Sequence, residues 1–210
     1  SINVIATSAR EHSKDFWCCI QTFAWVPSKR TPTESEFRWQ SYCMLSFGCK
    51  GLLCWTYAGY TPEFPSLITI DGKRTNAWYD AAIVFKEMHN ISDAFVQYKN
   101  TGALAHNCTD STPYLKFSNP LASFPTIENI DCDDPLLIGC FEKKDGSGTA
   151  FTIVNMSELE ELKTTHVKLK LAGSKVVAWP RGERTPLTRD SDGYYQLTLE
   201  PGEGIFVEVE

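Results

Sequence analysis

Trp25, Trp55, Tyr57 and Tyr60 are the side chains of this 210-residue chain best suited to holding a ligand. Each sits at or just beyond the end of an apolar run. There an indole or phenol ring offers a flat face to sugar C–H groups and a polar edge to hydroxyls. Gln21 stands at the end of the first such run. Its amide hydrogen-bonds a hydroxyl as donor or acceptor, but serves neither as a nucleophile nor as a general acid. Carboxylate chemistry is harder to place. Glu63 and Asp71 follow the second run, where Asp71-Gly72 reads as a turn and Glu63 as a solvated side chain. The catalytic residues are therefore left unassigned. The plainer reading of the same side chains is structural: the rings fill the mouth of a core, Gln21 satisfies loop backbone, and Trp179 packs in a core or an interface.

The elements that must position these residues change character near residue 100. Residues 16–23 are apolar at successive positions, which predicts a strand buried on both faces. Thr31 reads as an N-cap, with Pro32 at the first helical position and Glu34 completing a capping box. The helix that follows stops at Gly48. Residues 52–57 read as a second doubly buried strand, and a second helix is expected from about Asn76 to about Val96. Two such strands joined by a helix make a right-handed βαβ unit. Beyond residue 135, short alternating runs at 136–141, 149–155, 166–171, 175–179, 194–199 and 205–209 are separated by Asp-Gly and Pro-Gly turns. They predict antiparallel strands in a sandwich. The stretch 100–135 reads as partly linker, with one or two strands.

This order of residues resembles the end of the (β/α)8 barrel in glycoside hydrolases, particularly β-galactosidase-like and related uncharacterised barrels. The resemblance rests on Phe16-Trp17 leading to Gln21-Thr22-Phe23, on Arg30-Thr31-Pro32-Thr33-Glu34, and on Phe47-Gly48-Cys49-Lys50-Gly51 before the second run. It continues in Leu67-Ile68-Thr69-Ile70-Asp71-Gly72-Lys73 with Thr75, Trp78 and Tyr79, and in the tail Leu197-Thr198-Leu199-Glu200-Pro201-Gly202-Glu203-Gly204. It implies an α/β plus all-β fold: the last two β/α units of a TIM-type barrel (residues 1–99, strands seven and eight with their helices), followed by an antiparallel β-sandwich (residues 100–210).

It further implies a carbohydrate partner. The chain would be the C-terminal portion of a glycoside hydrolase, forming one wall of a sugar-binding cleft with an accessory sandwich. Glycoside hydrolysis takes two carboxylates flanking the scissile bond. In the resembling enzymes the acid/base follows strand four, which lies outside this chain, and the end of strand seven here carries Gln21 rather than an acid. Catalysis by this chain alone is not expected. A complete barrel needs about 250 residues, so the missing barrel segment would come from the same parent protein, a second chain or another copy. A non-catalytic carbohydrate-binding module, or a structural accessory module, is the alternative.

Composition narrows the partners. A net charge of −6 argues against a nucleic-acid backbone or an anionic membrane surface as partner. The apolar runs are too short to span a bilayer, and the first residues lack the pattern of a signal peptide. Of the eight cysteines none forms a C-x-x-C pair, and the four histidines are scattered. Neither a metal site nor a cofactor is expected. Cys18, Cys19, Cys43 and Cys54 read as buried, reduced small hydrophobes. Asn90, Asn107 and Asn155 head N-x-Ser/Thr triplets, a match short enough to arise by chance.

Overall fold

The computed structural model describes residues 2–24, 30–109 and 120–210. Three helices, α1 (Ile2–Glu11), α2 (Glu34–Ser46) and α3 (Asn76–Phe95), alternate in the first half with strands β1 (Trp17–Gln21) and β2 (Gly51–Trp55). The remaining strands are β3 (Tyr98–His106), β4 (Ile127–Asp131), β5 (Leu136–Lys143), β6 (Thr149–Asn155), β7 (Thr165–Leu171), β8 (Val176–Ala178), β9 (Thr185–Leu187), β10 (Tyr195–Leu199) and β11 (Gly204–Val209).

Side-chain period decides where each strand lies. In β7, Thr165, Val167, Leu169 and Leu171 are buried, while His166, Lys168 and Lys170 point to solvent. Strand β10 repeats the pattern with Tyr195, Leu197 and Leu199 inward. This period-2 alternation suits a sheet with one wet face, and β10-β7-β4 form such a three-stranded antiparallel sheet. Strands β5, β6 and β11 lack the alternation and are buried on both faces. They are the middle of a six-stranded antiparallel sheet ordered β3-β5-β6-β11-β8-β9.

One face of the six-stranded sheet meets the three-stranded sheet, with Ile138, Cys140, Phe151, Ile153, Ile205 and Val207 packing against Val167, Leu169 and Leu197. The other face carries Leu137, Phe141, Ala150, Val154 and Phe206, which pack against Tyr42 and Leu45 of α2 and Ile91 and Phe95 of α3. Helix α2 lies close on this face because Gly139 and Gly204 carry no side chain. A Cβ on Gly139 would stand 2.3 Å from the Ser46 carbonyl oxygen, and one on Gly204 would stand 2.3 Å from the Tyr42 ring.

Helices α2 and α3 are joined by a buried ion pair. The Arg38 guanidinium donates from Nε to Glu87 Oε2 (2.9 Å) and from Nη2 to Glu87 Oε1 (2.7 Å). Arg38 Nη2 also donates to Glu34 Oε1, which accepts a second bond from Arg181 Nη1 at 3.0 Å. Arg181 Nε donates to Glu203 Oε1 at 2.9 Å. The charges alternate across three parts of the chain, so each buried carboxylate faces a guanidinium.

The expected α/β plus all-β fold, with the last two β/α units of a TIM-type barrel ahead of a β-sandwich, is not what forms. Among the described residues three α-helices accompany three open, mostly antiparallel sheets, in a small mainly-β domain. Among the described strands only β1 and β2 pair in parallel, in register from Trp17 opposite Gly51 to Gln21 opposite Trp55, with one isolated parallel bridge between Ala58 and Ile68. The reason is burial. The runs at 16–23 and 52–57 are apolar at successive positions, yet only alternate residues face the helices. Ile20 is buried and Cys54 half-buried, whereas Trp17 is 65% exposed and Leu53 46% exposed.

Smaller differences have equally local causes. Thr33, not Thr31, caps α2: its hydroxyl accepts from the Glu36 N–H, and the Glu36 carboxylate accepts from the Thr33 N–H. The box is thus Thr33 with Glu36 rather than Thr31 with Glu34. The stretch 100–135, read as partly linker with one or two strands, holds most of β3, which starts at Tyr98 in the six-stranded sheet, and all of β4. Of the four cysteines expected to be buried only Cys43 is; Cys18 and Cys54 are half-buried and Cys19 is exposed. Asn155 is buried, with its amide donating to the Lys163 carbonyl at 2.9 Å, so its triplet is structural.

Candidate functional site

The C-terminal ends of β1 and β2 are held by a cluster of hydroxyls on backbone carbonyls. Thr22 N–H donates to the Trp55 carbonyl at 3.0 Å, and Thr22 Oγ1 donates to the Thr56 carbonyl at 2.5 Å. Ser66 Oγ shares its proton between the Thr22 and Thr56 carbonyls. Thr75 Oγ1, just before α3, reaches the Ser66 carbonyl at 2.6 Å. Thr22 and Ser66 are fully buried. Small hydroxyl residues suit this position because the chain leaves both strands here, and its carbonyls have lost their ladder partners.

The same cluster fixes the loop beyond β2. Ile68 N–H donates to the Tyr57 carbonyl at 3.1 Å and Gly59 N–H donates to the Ile68 carbonyl at 2.8 Å, closing residues 57–68 back on themselves. The peptide between Trp55 and Thr56 is cis. On this tied base three rings face outward: Trp55 is 54% exposed, Tyr57 53% and Tyr60 57%. The carbonyls of Trp55 and Tyr57 are tied to the Thr22 and Ile68 N–H groups, which favours a preorganised placement of those two rings.

Gln21 is the Cα partner of Trp55 across the parallel pair and is exposed beside it. Its backbone is clasped by Gln40 of α2: Gln21 N–H donates to Gln40 Oε1 at 2.8 Å. Gln21 Nε2 donates to the Phe23 carbonyl at 3.0 Å, so the amide does support the loop backbone. Gln21 also lines a cleft of about 300 Å3. Gln21, Arg30, Glu36, Trp39, Gln40 and Glu160 line that cleft.

Three acids near this end, Glu36, Glu63 and Asp71, are already engaged by neighbours that favour their ionised form. Burial pushes the Glu36 carboxyl up, but the Arg30 guanidinium and the Thr33 N–H outweigh it and leave the group below the usual range. Arg30 donates to both Glu36 oxygens, at 2.5 and 3.0 Å. The Thr61 hydroxyl holds Glu63 below its ordinary value. Lys73 and then the Thr69 hydroxyl hold Asp71 at about 2. A general acid needs the opposite shift, toward neutral pH. What these groups offer a ligand is hydrogen bonding and charge, not proton transfer.

The structure thus brings Gln21, Trp55, Tyr57 and Tyr60 to one end of the parallel pair; Trp25 lies outside the described residues. Trp179 is elsewhere, half-buried against the helix-facing core, with its indole N–H on Glu208 Oε2 at 2.9 Å. Glu36, Trp39 and Gln40 are i, i+3, i+4 neighbours on α2, and that spacing is the one sequence signal for the cleft. Glu160 arrives from a short 3-10 turn, Leu159–Glu161, more than a hundred residues further along the chain, and carries no local signal. No protein-family model and no curated protein matches the chain.

Proposed function

We propose that this chain is a sugar-binding, catalytically incomplete portion of a glycoside hydrolase-type protein, supplying one wall of a carbohydrate cleft. The observation that carries this reading is the row of exposed rings at Trp55, Tyr57 and Tyr60, anchored on a hydroxyl-tied backbone beside the exposed amide of Gln21. Sugars present apolar C–H faces and polar rims. Rings that stack the face, with amides and carboxylates that bond the rim, match both. The neighbouring cleft extends the same chemistry through Trp39, Gln40 and Glu160. Glu36, Glu63 and Asp71 are held below the ordinary carboxylate range, which does not suit a general acid, and no catalytic residue is assigned. A non-catalytic binding module is the alternative, supported by the same rings.

A glycan array probed with the intact chain and two variants tests the reading. The intact chain is expected to bind at least one glycan, Trp55→Ala to weaken it by about tenfold or more, and Trp179→Ala to keep it, since one well-packed ring contributes on the order of 1.4 kcal/mol or more. Binding lost on Trp179→Ala and kept on Trp55→Ala would move the sugar to the antiparallel sheets.

A further inference from the structure

A second recess lies at the opposite, N-terminal ends of β1 and β2, roughly 16 Å from the rings by the length of a five-residue strand. It has a volume of about 350 Å3 and sits between α1, the segment 13–16, the turn 47–50 and the start of β3. Five cationic side chains line it, Arg10, Lys14, Lys50, Lys99 and Lys144, against the single carboxylate of Asp15. Glu11 adjoins Arg10 on α1. In a chain of net charge −6 such a concentration of positive charge is contrary to the average. None of the five cations forms an ion pair among the described residues.

Two of the cations are held in place by the fold. Arg10 Nη1 donates to Asn100 Oδ1 at 2.8 Å and Nη2 to Thr7 Oγ1 at 3.0 Å. Asn100 is itself fixed, its amide nitrogen donating to the Ser46 carbonyl at 3.1 Å. The Lys50 ammonium donates to the Tyr98 carbonyl at 3.1 Å and lies 4.2 Å from the centre of the Phe95 ring. Burial, and then Lys144, push Lys50 down to about 8. Asp15 and the Phe95 and Tyr98 carbonyls offset part of the cost of burying this ammonium, and an anion in the recess would offset more of it.

We infer that this recess binds the phosphate group of a small molecule, through Arg10 and Lys50 at its base and Lys99 and Lys144 at its rim. A planar guanidinium and flexible ammonium groups are the donors that suit phosphate oxygens, and a dianion offsets more of this charge than a carboxylate does. The volume leaves room for the rest of a small phosphate ester. The inference is independent of the sugar reading, since none of its residues belongs to the ring-bearing end.

Isothermal titration calorimetry at constant ionic strength tests it, with inorganic phosphate, glycerol 1-phosphate and acetate as probes. Phosphate and the ester are expected to bind at millimolar concentration or below, and acetate not to bind. A monoester held more tightly than inorganic phosphate identifies an ester as the ligand; equal affinities identify free phosphate; either upholds the site. Lys50→Gln is expected to weaken binding about tenfold or more, the value of one charge-assisted hydrogen bond. Exposed Lys144→Gln, whose melting temperature should match the parent, is expected to weaken it severalfold. Absence of phosphate binding, binding unchanged in Lys144→Gln, or acetate binding as well as phosphate overturns the inference.

Discussion

Single side chains at the end of the parallel pair do two separable jobs. Thr22, Ser66 and Thr75 hold carbonyls that the departing strands leave without ladder partners, and Trp55, Tyr57 and Tyr60 use the resulting base. Ser66→Ala is expected to cost about 1 kcal/mol, a typical net hydrogen bond, seen as a lower urea midpoint. Arg38 is the more consequential polar residue. Arg38→Ala strands Glu87 as a buried, unpaired carboxylate, which costs about 3–5 kcal/mol, and the same urea titration measures it. Arg38 also sets a pH dependence. Burial pushes the Glu34 carboxyl up, but Arg38 and Arg181 more than offset it and leave the group below its ordinary 4.5. A lowered folded-state value means that the unfolded chain takes up the proton first. The stabilisation is therefore complete above about pH 4.5 and disappears as pH falls through the lowered value. Glu34→Gln should flatten the acid limb of a stability-against-pH curve and leave its neutral limb sloping as before.

Elements were legible in the sequence to the degree that local pattern fixes them. Helix α3 is expected from about Asn76 to about Val96 and forms from Asn76 to Phe95, because its apolar positions recur at helical spacing over twenty residues. The alternation in β7 and β10, and the Asp-Gly and Pro-Gly turns around them, likewise read directly as antiparallel strands. Fold class was not legible. The expectation of two barrel units rests on reading Phe16 to Phe23 and Leu52 to Tyr57 as buried on both faces, and apolar residue type does not report which face a neighbour covers. Three-residue β9, with Pro186 at its centre, carries too little pattern to be recognised. Nor does any sequence pattern announce that α2 lies directly on the six-stranded sheet, which depends on Gly139. Gly139→Ala would drive a methyl into the Ser46 backbone and Thr152 Oγ1, at 2.3 and 2.6 Å. It is expected to destabilise by about 1–3 kcal/mol, the usual cost of overpacking, with a matching drop in melting temperature. The candidate site divides the same way. Gln21 and the three rings stand out by type and position, while Glu160 joins the cleft beside Gln21 only through the tertiary fold.

The whole molecule is organised around the six-stranded sheet, whose two faces are covered by different parts of the chain. Leu137, Phe141, Ala150, Val154 and Phe206 depend on α2 and α3 for cover. Residues 100–210 expressed alone would expose that apolar face, and they are expected to bind a hydrophobic dye or to aggregate where the full chain does neither. The helices in turn fix the ring-bearing end of β1 and β2 against the sheet, through Gln40 on Gln21 and through the Arg38–Glu87 pair. The central claim is that this end receives a sugar, and hydroxyl-radical footprinting of the full chain, with and without a saturating glycan from the array, tests it most directly. Protection of Trp55, Tyr57 and Tyr60 is predicted, with exposed Trp17 and Tyr79 oxidised equally in both samples. Unchanged oxidation of the three rings on glycan binding, or an array on which the chain binds nothing, would contradict the account.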